Sequence, residues 1–125
     1  MTLLYIKRYK REYLRAHPDW LFVFGDNFER TGYGGQAGEA RDEPNAIGIA
    51  TKHSPSMAPN AFFSDADYDE WFVAEQPTLQ RLQKASKAGR TIIWPMDGIG
   101  TGLARLEKNA PSIWSMIDNL RAALE

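Results

Sequence analysis

Trp20-Leu21-Phe22-Val23-Phe24-Gly25-Asp26-Asn27 is the stretch whose reading decides the fold. Its first five residues are apolar without alternation, the pattern of a strand buried on both faces rather than one with a wet side. Turn residues follow at once, then Thr31-Gly32-Tyr33-Gly34-Gly35-Gln36-Ala37-Gly38, and residues 35–43 read as a helix that must stop at Pro44. A buried strand, a glycine loop and a helix in that order predict an α/β unit.

The same order recurs near the other end. Thr91-Ile92-Ile93-Trp94-Pro95 leads into Asp97-Gly98-Ile99-Gly100-Thr101-Gly102-Leu103, and Asn109-Ala110-Pro111 opens a last helix with proline in its first turn. That helix carries Ile113, Ile117, Leu120 and Leu124 on one face with Trp114 beside them. Between the two units, residues 46–51 form a further strand and residues 52–64 a loop with two prolines. Ser64 is placed to cap a helix with acids in its first turn. That helix runs to about residue 88, and Pro77 must kink it or divide it in two. Residues 3–7 read as a first strand, and residues 8–16 as one or two helical turns. Strands alternating with helices from residue 20 onward predict a mostly parallel sheet with helices on both faces.

Composition bounds the rest. A chain of 125 residues with 43% hydrophobic and 12% aromatic content fills one core, so residues 1–125 form one domain. The 15 basic and 16 acidic residues give a net charge of −1, which argues against a broad nucleic-acid footprint. The local run Lys7-Arg8-Tyr9-Lys10-Arg11 reads as a solvated strand end and helix start rather than a nucleic-acid patch. The absence of cysteine excludes disulfides, thiolate catalysis and cysteine zinc sites. No run has the length of a membrane span, and the N-terminal charges follow a very short apolar stretch, the reverse of a secretory signal. The expectation is a soluble cytoplasmic protein that needs no metal.

Seven of the ten glycines lie within residues 32–38 and 98–102, so two loops concentrate the chain's freedom to bring backbone N–H groups against an anion. Neither loop is a Walker motif, because no Gly-Lys-Ser/Thr follows the glycines. Gly32-x-Gly34-x-x-Ala37 approximates the dinucleotide fingerprint. Its glycines stand away from the strand, however, and the next strand ends in Thr51-Lys52 rather than an acid, which discounts a nicotinamide dehydrogenase.

The order of these motifs over residues 20–123 resembles the macro domains, which bind ADP-ribose, and most nearly their terminal ADP-ribose glycohydrolase-like type. The matching features are a strand ending in Asn27, the cluster Gly34-Gly35-Gln36-Ala37-Gly38, a strand ending in Thr51-Lys52, the segment Glu75-Gln76-Pro77, and the loop from Pro95 to Leu103. The resemblance implies a three-layer α/β/α sandwich with a mostly parallel or mixed central sheet, macro-like. It implies that Asp26 and Asn27, with Gly34, Gly35 and Gln36, meet the distal ribose and diphosphate. Thr51 would line the same site, and Gly98, Ile99, Gly100, Thr101, Gly102 and Leu103 would cradle the diphosphate from the other side. The partner would be ADP-ribose or a related nucleotide, carried or not on an ADP-ribosylated macromolecule. Lys52 corresponds to a lysine that attacks the sugar C1″ carbon. The acids that accompany hydrolysis in relatives fall on Ala37 and Ala104 here, which leaves Asp97 as the substitute and a purely binding module as the alternative. The Gly-Asp-Ile/Leu motif that holds adenine is absent after the first strand.

Each residue also has a plain structural reading. Asp26-Asn27 favours turns by itself. Lys52 is an ordinary solvated lysine unless burial lowers its pKa. Asp97 suits turn chemistry as well as ligand contact. His17 and His53 read as surface residues. Glu39 and Arg41 read as solvated or intrahelical partners, with phosphate pairing a lesser alternative for Arg41. Asp65, Asp67, Asp69 and Glu70 begin a helix and do not converge on a metal. Trp71, Phe72 and Trp114 read as core, and Phe62-Phe63 as an anchor for the proline loop rather than a lid over a base. If the glycine loops are only turns, the chain is a protein-interaction domain indifferent to nucleotides.

Overall fold

The computed structural model describes residues 2–125. Its centre is a four-stranded sheet in the order β1-β4-β2-β3, built from β1 (Thr2–Ile6), β2 (Leu21–Asn27), β3 (Ala46–Lys52) and β4 (Thr91–Pro95). Every pairing is parallel: β1 with β4, β4 with β2, and β2 with β3. The β2–β3 register runs from Phe22 opposite Ala46 to Asp26 opposite Ala50, and then slips so that Asn27 lies opposite Lys52. An irregularity at a strand end re-aims side chains. This one falls where two of the candidate site residues stand side by side.

The unbroken apolar run of β2 has the consequence its pattern implies. Leu21 and Val23 join Ile47, Ile49, Ile92 and Trp94 in one buried cluster, which also takes in Trp71, Leu79, Leu82, Ile113 and Ile117. Phe22 and Phe24 point the other way and join Ile93, Tyr9, Leu14, Ala37 and Ala40 in a second. The period of two along the strands separates the clusters. The first is covered by α3 (Tyr68–Ala74), α4 (Gln76–Lys87) and α6 (Pro111–Leu124). The second is covered by α1 (Arg11–Ala16) and α2 (Ala37–Ala40).

Several helical elements differ from the sequence reading. The helix expected over residues 35–43 is a single turn, α2, because three glycines precede it and Arg41 leaves helical geometry with ψ 141°. Residues 8–10 are loop, and α1 begins only at Arg11. The helix expected from residue 64 to 88 opens with a 3₁₀ turn at Asp65–Asp67, where Ser64 and Asp67 form a capping box, and is then divided into α3 and α4. The division falls at Glu75 with Pro77 in the first turn of α4, as a proline at that position requires. A short helix that the sequence does not announce, α5 (Leu106–Asn109), precedes α6. In α6, Ile113, Ile117, Leu120 and Leu124 are all buried, and Trp114 is half-buried against the same cluster. Trp71 is fully buried, whereas Phe72 stands at the surface.

Candidate functional site

All four strands run parallel, so their carboxyl ends meet on one edge of the sheet, where open α/β folds hold ligands. A cavity of about 680 Å³ opens there, within the range of about 300–1,000 Å³ common to small-molecule sites. It is lined by Asp26, Asn27, Gly34, Gly35, Gln36, Thr51, Lys52, Asp97, Gly98, Ile99, Gly100, Thr101, Gly102 and Leu103, so the structure brings together every site residue singled out in the sequence. Three further residues that sequence reasoning left outside, Arg8, Tyr9 and Lys10, form another part of the wall.

The first glycine loop is held by Arg41. Its guanidinium donates to the carbonyls of Thr31 and Gly32 and forms a 2.6 Å ion pair with Asp26. It also lies between the rings of Phe24 and Tyr33, at 5.7 and 6.0 Å. Arg41 is buried and paired with Asp26, so the solvated reading gives way to a structural one. The signal was present in the sequence: Arg41 falls on the same helical stripe as Ala37 and Ala40, and both alanines are buried. Asp26 is engaged from three sides, by Arg41, by Arg30 at 3.6 Å and by the Asn27 N–H. Its carboxylate therefore shapes the site from within. Glu39 accepts the Arg11 N–H, a partner on α1 rather than in its own helix.

Two rows of backbone donors lie on the loops that line the cavity. Among the described residues, the N–H groups of Gly34, Gly35 and Gln36 in the first loop make no hydrogen bond, and neither do those of Gly100, Thr101 and Gly102 in the second. Free donors on glycine-rich turns form anion-binding concavities. With α2 only four residues long, a helix dipole behind the first loop adds nothing to this. The Thr101 hydroxyl donates to the Asp97 carbonyl at 2.6 Å, so it braces the second loop.

Asn27 is only 7% exposed. Its amide nitrogen donates to the Thr31 carbonyl at 2.8 Å, which fixes the amide's orientation, and its Oδ1 is buried without a partner. A buried acceptor left unmade costs about 1–3 kcal/mol. The Thr51 hydroxyl donates to the Asp26 carbonyl and is spent in the same way as that of Thr101.

Lys52 is 8% exposed, and burial pushes its amine below the ordinary lysine pKa. The sequence reading as a solvated lysine therefore fails. The Nζ donates to the Ser56 carbonyl at 2.5 Å, lies 3.5 Å from the Met57 sulfur and sits 4.8 Å over the Phe62 ring. Among the described residues no carboxylate pairs with it. Asp97 is exposed, and its carboxylate has no partner among the described residues. Phe63 anchors the proline loop by packing edge-on against Phe28 and His53. His53 is half-buried and lies 3.3 Å from Asp67, which places it in the loop's framework rather than free at the surface. Among the described residues no group of acids and histidines could hold a metal, and no helix is long and apolar enough to cross a membrane.

The chain belongs to a family of unknown function, DUF7831, whose model matches residues 4–120. No curated protein and no solved structure matches it.

Proposed function

We propose that this member of the DUF7831 family binds ADP-ribose or a related adenosine diphosphate ligand at the carboxyl edge of its sheet, in a three-layer, macro-like α/β/α arrangement. The observation that carries the reading is the pair of N–H rows, free of protein partners, on two glycine loops that line one cavity. A diphosphate offers acceptors to both rows at once, and charge-assisted bonds to backbone donors are about twice as strong as neutral ones. The unpartnered Asn27 oxygen adds a demand for a donor such as a sugar hydroxyl. The two core clusters on alternate faces of the strands support the layered arrangement.

Binding without turnover is the better supported form. The acids of hydrolytic macro domains are replaced by Ala37 and Ala104, and the Lys52 amine is held by the Ser56 carbonyl. Removal of ADP-ribose from a modified macromolecule is the second reading. It is favoured by the lowered Lys52 pKa and by the free carboxylate of Asp97 on the same cavity.

Calorimetric titration with ADP-ribose, with AMP and NAD for comparison, tests both. Saturable ADP-ribose binding that Asn27→Ala removes is the expected result. Absence of binding by all three overturns the reading. If binding holds, turnover of an ADP-ribosylated substrate that Lys52→Ala or Asp97→Ala abolishes would decide for the hydrolytic form.

A further inference from the structure

We infer that the ligand carries a phosphomonoester in addition to its diphosphate, and that Arg8 and Lys10 bind it. The inference rests on the adenosine diphosphate reading and deepens it.

The loop between β1 and α1 closes one side of the cavity, and it is pinned rather than free. Gln36, in the first glycine loop, accepts the Tyr9 N–H at 2.8 Å and donates to the Lys7 carbonyl at 2.8 Å. The Tyr9 ring is buried and its hydroxyl donates to the Val23 carbonyl at 2.5 Å. Lys10 has extended geometry, φ −121° and ψ 136°. Tyr9 is buried while Arg8 and Lys10 on either side of it are exposed, and both line the cavity.

These two cations are also unspent. Arg11 and Arg15 pair with Glu43, Arg30 with Glu75, and Arg41 with Asp26. Among the described residues, neither Arg8 nor Lys10 has a carboxylate or side-chain hydrogen-bond partner. A diphosphate has no need of them, because the two glycine loops already offer it backbone donors. Two cations on one wall match a dianion, and a phosphomonoester carries close to two negative charges at neutral pH. A guanidinium can take two of its oxygens at once while the ammonium supplies a point charge. Lys7 stands one residue before this pair but does not line the cavity.

The test compares ADP-ribose with ADP-ribose 2′-phosphate by calorimetry, using wild type, Arg8→Ala/Lys10→Ala and Lys7→Ala. Wild type is expected to bind the phosphorylated ligand at least about tenfold tighter, in line with charge-assisted bonds from two cations. The double variant is expected to bind both ligands alike, and Lys7→Ala to keep the preference. Equal affinity of wild type for the two ligands overturns the inference and leaves the adenosine diphosphate reading standing. A preference that survives in the double variant overturns it too, as does one that Lys7→Ala erodes equally, since diffuse charge then accounts for it. If neither ligand binds, the parent reading fails first, and the calorimetry of Asn27→Ala becomes irrelevant.

Discussion

Gly34 and Gly100 separate two uses of glycine that the sequence writes identically. A Cβ added at Gly34 meets nothing within 4 Å, and the residue is exposed at the cavity. Gly34→Ala is therefore expected to leave stability unchanged or to raise it by about 0.4–1 kcal/mol, through the unfolded chain. If the proposed ligand anion sits against the free N–H row, the same methyl would crowd its approach, and ADP-ribose affinity should fall by about tenfold or more, equal to losing one good interaction. Gly100 has φ +78°, and its added Cβ would lie 2.8 Å from Leu106. Gly100→Ala should cost at least about 1–2 kcal/mol from the left-handed backbone alone, visible in urea unfolding without any ligand. A Gly34→Ala protein that unfolds early, or binds normally, would contradict this division. Arg41 gives the complementary case: Arg41→Ala leaves the buried Asp26 carboxylate with the longer Arg30 contact as its one cation and the Asn27 N–H as its remaining donor. The expected loss is about 3–5 kcal/mol, the usual result of breaking one side of a buried pair, and chemical denaturation measures it directly.

Elements transmit these local facts to the site, and Glu75 shows how. It is fully buried at the junction of α3 and α4, where it accepts the Ala50 N–H at 2.6 Å and pairs with Arg30 at 2.5 Å. Burial raises its pKa above the ordinary 4.5, although the Ala50 N–H and Arg30 pull the other way. The folded state then holds the Glu75 proton more tightly than the unfolded state does. Its contribution to stability is fully present below pH 4.5 and is lost as pH rises through the raised value. Glu75→Gln, which mimics the protonated form, should lose less stability relative to wild type at pH 7.5 than at pH 4.5, measured as paired urea titrations. An equal difference at both pH values would mean that the ion pair with Arg30 cancels the burial. This junction was partly legible in the sequence. Pro77 required a break, and the apolar run of β2 required cover on both faces. The partner of Arg30 was not legible, because an arginine 45 residues away from its carboxylate leaves no local period. The shortness of α2 was hidden for a similar reason. Residues 35–43 have acceptable helix composition, but Arg41 gains more from Asp26 and two loop carbonyls than from another helical turn. Lys7, Arg8 and Lys10 are exposed, as the basic run read, but the place of Arg8 and Lys10 on the cavity wall was not legible, because it depends on how Gln36 pins the β1–α1 loop.

At the scale of the whole molecule, function depends on where charge is left over. The chain as a whole is nearly neutral at −1, while the basic side chains on the β1–α1 wall and two rows of N–H groups converge on one cavity. A near-neutral surface gives little long-range attraction, so the anion affinity proposed here would have to come from contacts made inside the cavity, where screening is weaker. On the proposed reading, the ligand would stabilise the fold without a steep salt dependence of the diphosphate contacts. At ADP-ribose concentrations a hundred times its dissociation constant, linkage adds about 2.7 kcal/mol, enough to raise the midpoint of thermal unfolding by on the order of 10 °C. The rise should persist when salt is increased from 0.05 to 0.3 M, because backbone donors carry no net charge for salt to screen, and Asn27→Ala should abolish it. A rise that disappears with salt would instead place binding on the basic surface around Lys7. No rise at any concentration would reduce the glycine loops to turns, with the free N–H rows satisfied by water, and would favour a protein partner over a nucleotide at this edge of the sheet.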